Sequence, residues 1–383
     1  MRNNKDSSPS RRKFIYDLGL TALSIPLTSS IIDLHDETKS KTGAMVNQNR
    51  KKGKLGIALV GLGGYAGGQL APALQETEHC YLAAIVTGSP DKIPVWQAKY
   101  QIPDTNVYNY HNFDSIKDNA DVDIIYVVLP NFLHAEYTIR AAAAGKHVIC
   151  EKPMAITVED CDRMIAACKK AGKMLSIGYR LHFDPYNLEM ARLGQQKIYG
   201  DIKKIKSEFS FVAEKGIWRL NKAIAGGGPL MDLGIYCLQG VCYTTGMEPI
   251  SVTAYAPPVT DKEKFIDIEE TLSWQMEMPG GLVAECRSSY SERMNLLHAE
   301  AKNGWIELSP AFNYSNIEGR TIESKMEFGM VSQQARQMDA FALAVKNNKP
   351  STVSGEMGRR DMKIITAIYE AMQSGKRVRI SNL

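Results

Sequence analysis

A chain of 383 residues, with 44% hydrophobic and 23% charged residues, has the composition of a globular protein and is long enough for two domains with full cores. Its formal net charge of +4 is too small to mark a nucleic-acid binder or a membrane-surface protein. The seven cysteines (80, 150, 161, 168, 237, 242 and 286) sit mostly in apolar or helical runs, with no CxxC pair and no Cys/His ligand spacing. That speaks against both a disulfide framework and a metal site.

Residues 1–30 carry Arg11-Arg12, then Phe14, then a weakly apolar run from Leu18 to Leu27. This is the order of a twin-arginine export signal, although Asp17 stands at the start of the run and no A-x-A follows. The run is too short and too polar for stable membrane insertion. The expectation is a folded protein exported to the periplasm, the alternative being a basic tail without structure. Residues 31–53 are polar and aperiodic and read as an extended arm.

Leu55 to Val60 reads as a buried strand, and Gly61-Leu62-Gly63-Gly64-Tyr65-Ala66 follows at once, before a helical pattern. Strand, G-x-G-x-x-A, helix is the dinucleotide-binding order. The first glycine turns the chain, the second admits a pyrophosphate, and Ala66 keeps the helix close to the sheet. The next strand, Tyr81 to Val86, ends in Thr87-Gly88-Ser89 with Lys92 close behind, and no acid stands at its tip. Ser89 and Lys92 can accept a 2′-phosphate, which favours NADP over NAD; Ser89-Pro90-Asp91 can also simply start the following helix.

Val122 to Leu129 is a further apolar strand, followed by Pro130-Asn131-Phe132-Leu133-His134 and a helix to Ala144. The strand to Cys150 then ends in Glu151-Lys152-Pro153. Proline cannot extend a ladder, so Lys152 is presented at the carboxyl end of the sheet, where open α/β sheets bind ligands. Strands and helices alternate over 54–178, which predicts a doubly wound parallel sheet. From 179 to 383 longer alternating runs with few helices between them predict an α+β domain on a large open, mostly antiparallel sheet. Its uncovered face suits a homodimer or homotetramer, and two final helices are expected to pack back on the first domain.

A second constellation is Gly226-Gly227-Gly228-Pro229-Leu230-Met231-Asp232-Leu233-Gly234-Ile235-Tyr236. Pro229 suits the first turn of a helix after a flexible glycine run, and Asp232 and Tyr236 then share one face. A phenol becomes a useful base when a cation stands near, and Lys152 is the candidate. Taken alone, Asp232 can serve only the helix dipole and Tyr236 only packing. Tyr179, Arg180 and His182 follow the last strand of the first domain, and Trp218-Arg219 precede the glycine run. These can grip a sugar, or serve domain packing.

In this order the motifs resemble the Gfo/Idh/MocA oxidoreductase family, from about residue 54 to the end. The markers are Gly61-x-Gly63-x-x-Ala66, Pro130-Asn131-x-x-His134, Glu151-Lys152-Pro153 and Asp232-x-Gly234-x-Tyr236. Tyrosine at 236, the leader, Tyr179-Arg180-x-His182 and Trp218-Arg219-Leu220 resemble the glucose–fructose oxidoreductase branch. The resemblance implies a Rossmann first domain, a tightly held NADP, a cis Lys152–Pro153 bond and an arm that reaches over a neighbouring subunit. It implies cofactor contacts at Gly61, Leu62, Gly63, Tyr65, Ala66, Ser89, Lys92, Pro130, Asn131, His134, Glu151, Lys152, Arg180, Trp218 and Arg219. Substrate contacts are implied at Lys152, Tyr179, Arg180, Asp232 and Tyr236. Catalysis falls to Tyr236 as proton carrier, Lys152 as its cation and Asp232 as the group that orients a sugar. The implied reaction oxidises an aldose such as glucose at C1 and passes the hydride to a ketose such as fructose. An exchangeable-cofactor sugar dehydrogenase, an exported NAD-dependent glycosidase and a non-catalytic sugar sensor are the alternatives.

Overall fold

The computed structural model describes residues 50–380; the export-signal reading and most of the arm lie outside the described residues. The first domain is a six-stranded parallel sheet of β1 (Leu55–Val60), β2 (Cys80–Val86), β3 (Val107–Tyr108), β4 (Ile124–Val127), β5 (His147–Cys150) and β6 (Leu175–Ile177). Its order is β3-β2-β1-β4-β5-β6. All of β2 and β4 is buried, as apolar runs covered on both faces require. The chain leaves β1 for β2 and β3, then returns to β4 on the other side of β1. The carboxyl ends of β1 and β4 therefore mark the switch point at which such sheets bind ligands. β3, only two residues long, has no period to read and forms because Val107 and Tyr108 pair with Ile85 and Val86.

Four helices alternate with these strands. The fingerprint helix α1 is π-helical over Ala66–Leu70 and continues through Ala71–Ala73. Then come α2 (Ile93–Tyr100), α3 (His134–Ala143) and α4 (Val158–Lys170), the last capped by the Thr157 hydroxyl accepting from Asp160 N.

The second sheet has eight strands: β7 (Ile202–Ser210), β8 (Ser251–Tyr255), β9 (Thr271–Glu277), β10 (Val283–Ser289), β11 (Met294–Ala301), β12 (Gly304–Leu308), β13 (Gly319–Thr321) and β14 (Val378–Arg379). Their order is β13-β12-β11-β7-β10-β9-β8-β14. β7 and β10 run parallel, and the other pairings are antiparallel, so the expected mostly antiparallel sheet is present. Helices α5 (Pro185–Gln195), α6 (Lys222–Ala225) and α7 belong to this half. α7 opens as a π-helix, Leu230–Gly234, and continues as Ile235–Thr245. It is buried nearly all round, which is why its sequence carries no amphipathic period past Leu238.

The two last helices are α8 (Gln333–Lys346) and α9 (Gly355–Ser374). α8 places Ala335, Met338, Phe341 and Ala342 in one core with Ile57, Leu59 and Ile85. α9 packs against both α4 and β8 and so spans the two halves. The outer face of the second sheet exposes Tyr255, with Lys206–Glu208 (3.0 Å) and Lys204–Glu285 (3.4 Å) ion pairs beside it. No described helix is long and apolar enough to cross a membrane.

Candidate active site

Glu151-Lys152-Pro153 leaves the carboxyl end of β5, and the Lys152–Pro153 peptide is cis. The Lys152 side chain crosses to α7. Its ammonium donates to the Asp232 carbonyl at 2.8 Å and to Asp232 Oδ1 at 3.1 Å, and it lies 4.7 Å from the centre of the Tyr236 ring. Burial works against the ammonium charge, but Tyr236 and Asp232 outweigh it and the Lys152 pKa is raised. Lys152 is therefore a permanent cation at neutral pH.

Asp232 is gripped from three sides, by Lys152, by Arg219 Nε at 3.2 Å and by the Tyr290 hydroxyl donating at 3.1 Å. Burial opposes its charge, yet Lys152 and Arg219 hold its pKa down to about 2. Tyr290 shows no motif in the sequence. It is fully buried after β10, and burial followed by the Asp232 charge pushes its phenol well up, so it stays a donor.

The glycine run ahead of α7 is not the flexible segment expected from its composition. Glu269, entering β9, sends its carboxylate into the turn, where it accepts from Gly228 N (3.1 Å), Leu230 N (3.2 Å) and the Tyr369 hydroxyl (2.9 Å). A Cβ on Gly227 would overlap the Tyr369 hydroxyl, and one on Gly228 would lie 2.6 Å from the Glu269 carbonyl. The glycines are there because a carboxylate and a phenol press on the turn. A carboxyl oxygen at the start of a helix satisfies N–H groups that have no intrahelical partner. Burial raises the Glu269 pKa against these bonds.

Tyr236 has cations on two sides, Lys152 at 4.7 Å and the Arg180 guanidinium at 5.1 Å from its ring centre. Arg180 is fully buried, with bonds to Gln333 and to the Phe312 and Asn313 carbonyls. Its second ring partner, Tyr314, lies 4.3 Å away. Arg180 thus faces the Tyr236 ring while Gln333, Phe312 and Asn313 hold its terminal nitrogens. The Tyr179 hydroxyl donates to Asp361 at 2.6 Å, and its ring lines a small apolar pocket together with Lys152 and Tyr236. His182 pairs with Gln239 at 2.7 Å in the same buried network. Trp218 lies 4.6 Å from the Arg219 guanidinium and steadies it.

The other motif residues divide between the crevice and its frame. Gly61, at φ 97°, abuts Val128, so a Cβ there would lie 2.5 Å from the Val128 carbonyl. Gly63 and Gly64 have nothing within 4 Å of an added Cβ, and Ala66 is buried against the sheet. Lys92 donates to the Leu62 carbonyl at 2.9 Å and so lies over the fingerprint loop, with Ser89 between it and the tip of β2. Open space above the glycines with a lysine at its rim suits the phosphates of a dinucleotide.

Asn131 and His134 turn their polar atoms inward. Asn131 donates to the Ala225 carbonyl at 2.8 Å, tying the loop after Pro130 to the base of the glycine run. The His134 nitrogens face the Leu129 and Pro153 carbonyls at 2.8 Å, and burial lowers its pKa. The neutral ring has one proton, so it bonds one carbonyl at a time. Glu151 is buried just past the end of β5. It accepts from the Tyr126 hydroxyl at 2.7 Å and from Lys152 N at 3.2 Å, and a Cβ on Gly178 would lie 2.5 Å from its oxygen. Burial raises its pKa. Among the described residues no cluster of His, Cys, Asp and Glu is suited to a metal ion.

Two family models match the chain. One is the oxidoreductase family with an NAD-binding Rossmann fold, over residues 55–179, and the other the GFO/IDH/MocA C-terminal domain, over 187–303. The crystal structure of aldose–aldose oxidoreductase from Caulobacter crescentus, complexed with glycerol, is 41% identical. It covers 85% of this chain and 99% of that one, with a TM-score of 0.83. D-xylose 1-dehydrogenase [NADP(+)] of Haloarcula marismortui is 26% identical over 85% of this chain and 92% of that protein. D-glucoside 3-dehydrogenase of Escherichia coli is 27% identical over 67% of this chain and 79% of that protein. The fingerprint strand, the Glu151-Lys152-Pro153 loop and the Asp232/Tyr236 helix all fall within the matched spans, and the chain belongs to the Gfo/Idh/MocA family of oxidoreductases.

Proposed function

We propose that the protein oxidises an aldose at C1 to the lactone and returns the hydride to a second sugar, using one tightly held NADP for both halves. The observation that carries this reading is the meeting of Lys152, Asp232 and Tyr236, from two different domains, in one cluster. Bound beside it, a nicotinamide dinucleotide supplies the two-electron acceptor and donor. The chain supplies the rest. Tyr236 takes the proton of the reacting hydroxyl and returns it in the second half. Lys152 and Arg180 stand against its ring as fixed positive charges. Asp232 and Arg219 offer an acceptor and a donor to the neighbouring hydroxyls and fix which carbon faces the cofactor.

Ser89 and Lys92 at the tip of β2 support NADP over NAD, as does the NADP dependence named for the xylose dehydrogenase relative. The acceptor read from the sequence is an open-chain ketose such as fructose, reduced to a polyol. The 41% identical aldose–aldose oxidoreductase supports a sugar-to-sugar cycle with a second aldose in that place. Export through the Arg11-Arg12 leader suits such a cycle, because a retained cofactor needs no free pool outside the cytoplasm. The exposed, ion-paired outer face of the second sheet supports a homodimer or homotetramer.

The test is spectroscopic. The protein is purified without added cofactor, and absorbance in the reduced-nicotinamide band is followed as glucose is added, then fructose or a second aldose. A band that appears and then decays is the expected result. A band that needs added NADP would instead make this an exchangeable-cofactor dehydrogenase. No band, together with release of an aglycone from a synthetic glycoside, would sink the proposal.

A further inference from the structure

The ring of Tyr65 lies 5.9 Å from the ring of Tyr314, centre to centre, tilted by 32°. The two residues come from opposite sides of the crevice. Tyr65 stands in the fingerprint, one residue before Ala66, which is fully buried in the first-domain core. Tyr314 stands in the loop between β12 and β13 of the second domain. Their contact joins the dinucleotide loop directly to the catalytic half.

Tyr65 is the residue from which α1 starts, its backbone already helical (φ −69°, ψ −43°). Its ring meets Tyr314, and the Arg180 guanidinium lies 4.3 Å from the ring centre of Tyr314 and 5.1 Å from that of Tyr236, which places Tyr65 at the catalytic end of the crevice. Tyr314 follows two residues whose backbone is pinned. Arg180 donates to Phe312 O at 2.6 Å and Asn313 O at 2.9 Å, and Gln333 adds a bond to Asn313 O at 3.2 Å. Asn295 accepts from the Ala311 and Phe312 amides at 2.8 Å each. The Arg180 guanidinium then lies 4.3 Å from the Tyr314 ring centre. Tyr314 nevertheless remains 44% exposed, an aromatic ring held at a mouth and not in a core.

We infer that Tyr65 and Tyr314 form an aromatic latch across the cofactor crevice, and that Tyr314 is a cofactor-retaining residue of the second domain. The inference rests on the retained dinucleotide of the proposed function. A ligand lying between the fingerprint and the Lys152 cluster leaves past this pair, so release requires the two rings to part. Buried Arg180, seated beneath both Tyr236 and Tyr314, links the latch to the catalytic phenol.

The experiment uses the full-length protein carrying NADPH. Loss of bound-NADPH fluorescence is timed after a chase with excess NADP⁺. Tyr314→Ala is expected to release nucleotide about two- to tenfold faster, the range that one aromatic contact provides. Tyr314→Phe keeps the ring and should release at the wild-type rate. Tyr65→Leu should match Tyr314→Ala, and the double variant should be no faster than either, because both break the same contact. Tyr314→Leu serves as a second truncation if the alanine variant does not fold. Wild-type release in the truncated variants would overturn the latch, as would additive effects in the double variant. A raised sugar KM with unchanged release would assign Tyr314 to the sugar site instead. If the wild type is purified without nucleotide, tight retention fails, but the same rate ratios measured on added NADPH still decide the latch.

Discussion

Asp232→Asn keeps the shape of the side chain and removes its charge from between Lys152, Arg219 and Tyr290, which lie 3.1, 3.2 and 3.1 Å away. The magnitude follows from its titration. A carboxylate ordinarily at 3.8 is held at about 2, against burial, by Lys152 and Arg219. At about 1.36 kcal/mol per pKa unit, that difference is worth roughly 2 kcal/mol of folding stability. Because the folded pKa is depressed, the contribution is present above the unfolded value and is lost as pH falls through the folded one. Urea unfolding of wild type and variant should therefore differ by roughly 2 kcal/mol or more from about pH 8 to pH 5, the gap narrowing below about pH 4. The asparagine amide brings two N–H donors toward two cations, so the figure is a lower bound. A gap below about 0.5 kcal/mol at neutral pH would refute the charge cluster, since that is the scale of an ordinary surface substitution.

Lys152→Met should leave nucleotide bound, measured by absorbance after gel filtration, while turnover falls by about 10²–10⁴, the usual share of acid–base chemistry. Gly227→Ala drives a Cβ into the Tyr369 hydroxyl and should cost about 1–3 kcal/mol of stability by thermal or urea unfolding, with part recovered in Gly227→Ala/Tyr369→Phe. Glu269→Ala orphans two amides and a phenol at the start of α7. It should destabilise by about 3 kcal/mol or more and depress kcat together with stability, whereas Glu269→Gln retains an acceptor and should lose less. All seven cysteines are buried, and burial pushes Cys80, Cys161, Cys168, Cys237 and Cys242 up to about 12. The native protein should therefore react with a thiol reagent only as fast as it opens, and fast labelling at neutral pH would contradict that.

Local signals were legible in the sequence wherever one short segment carries its own reason. Gly61 announces a turn that no other residue can make, Pro153 stops a strand, and alternation from Thr271 to Glu277 gives β9 its two faces. The partners of those segments were not legible, because they arrive from far along the chain. Tyr290 reaches Asp232 across 58 residues and Glu269 reaches Gly228 across 41, and neither has a spacing rule to betray it. Composition misled at the glycine run, which signals close packing here and not mobility. Arg180 and Tyr179 follow β6, but the sequence could not show that Gln333 bonds the Arg180 guanidinium and Asp361 the Tyr179 hydroxyl. Tyr314 had no motif at all; what makes it noticeable is that an aromatic ring is pinned yet half-exposed.

One feature of the architecture governs how the chain can be made. One of the first-domain cores is completed by Ala335, Met338, Phe341 and Ala342 of α8. While the polypeptide is emerging from a ribosome, the fingerprint strand and its neighbours are synthesised long before the segment that covers them. Until residue 346 is out, Ile57, Leu59 and Ile85 lack the part of their cover that α8 supplies. A ribosome-stalled or truncated chain ending before α8 should expose that apolar surface to chaperones. The dinucleotide crevice thus reaches its final form only near the end of translation, when both halves of the protein already exist.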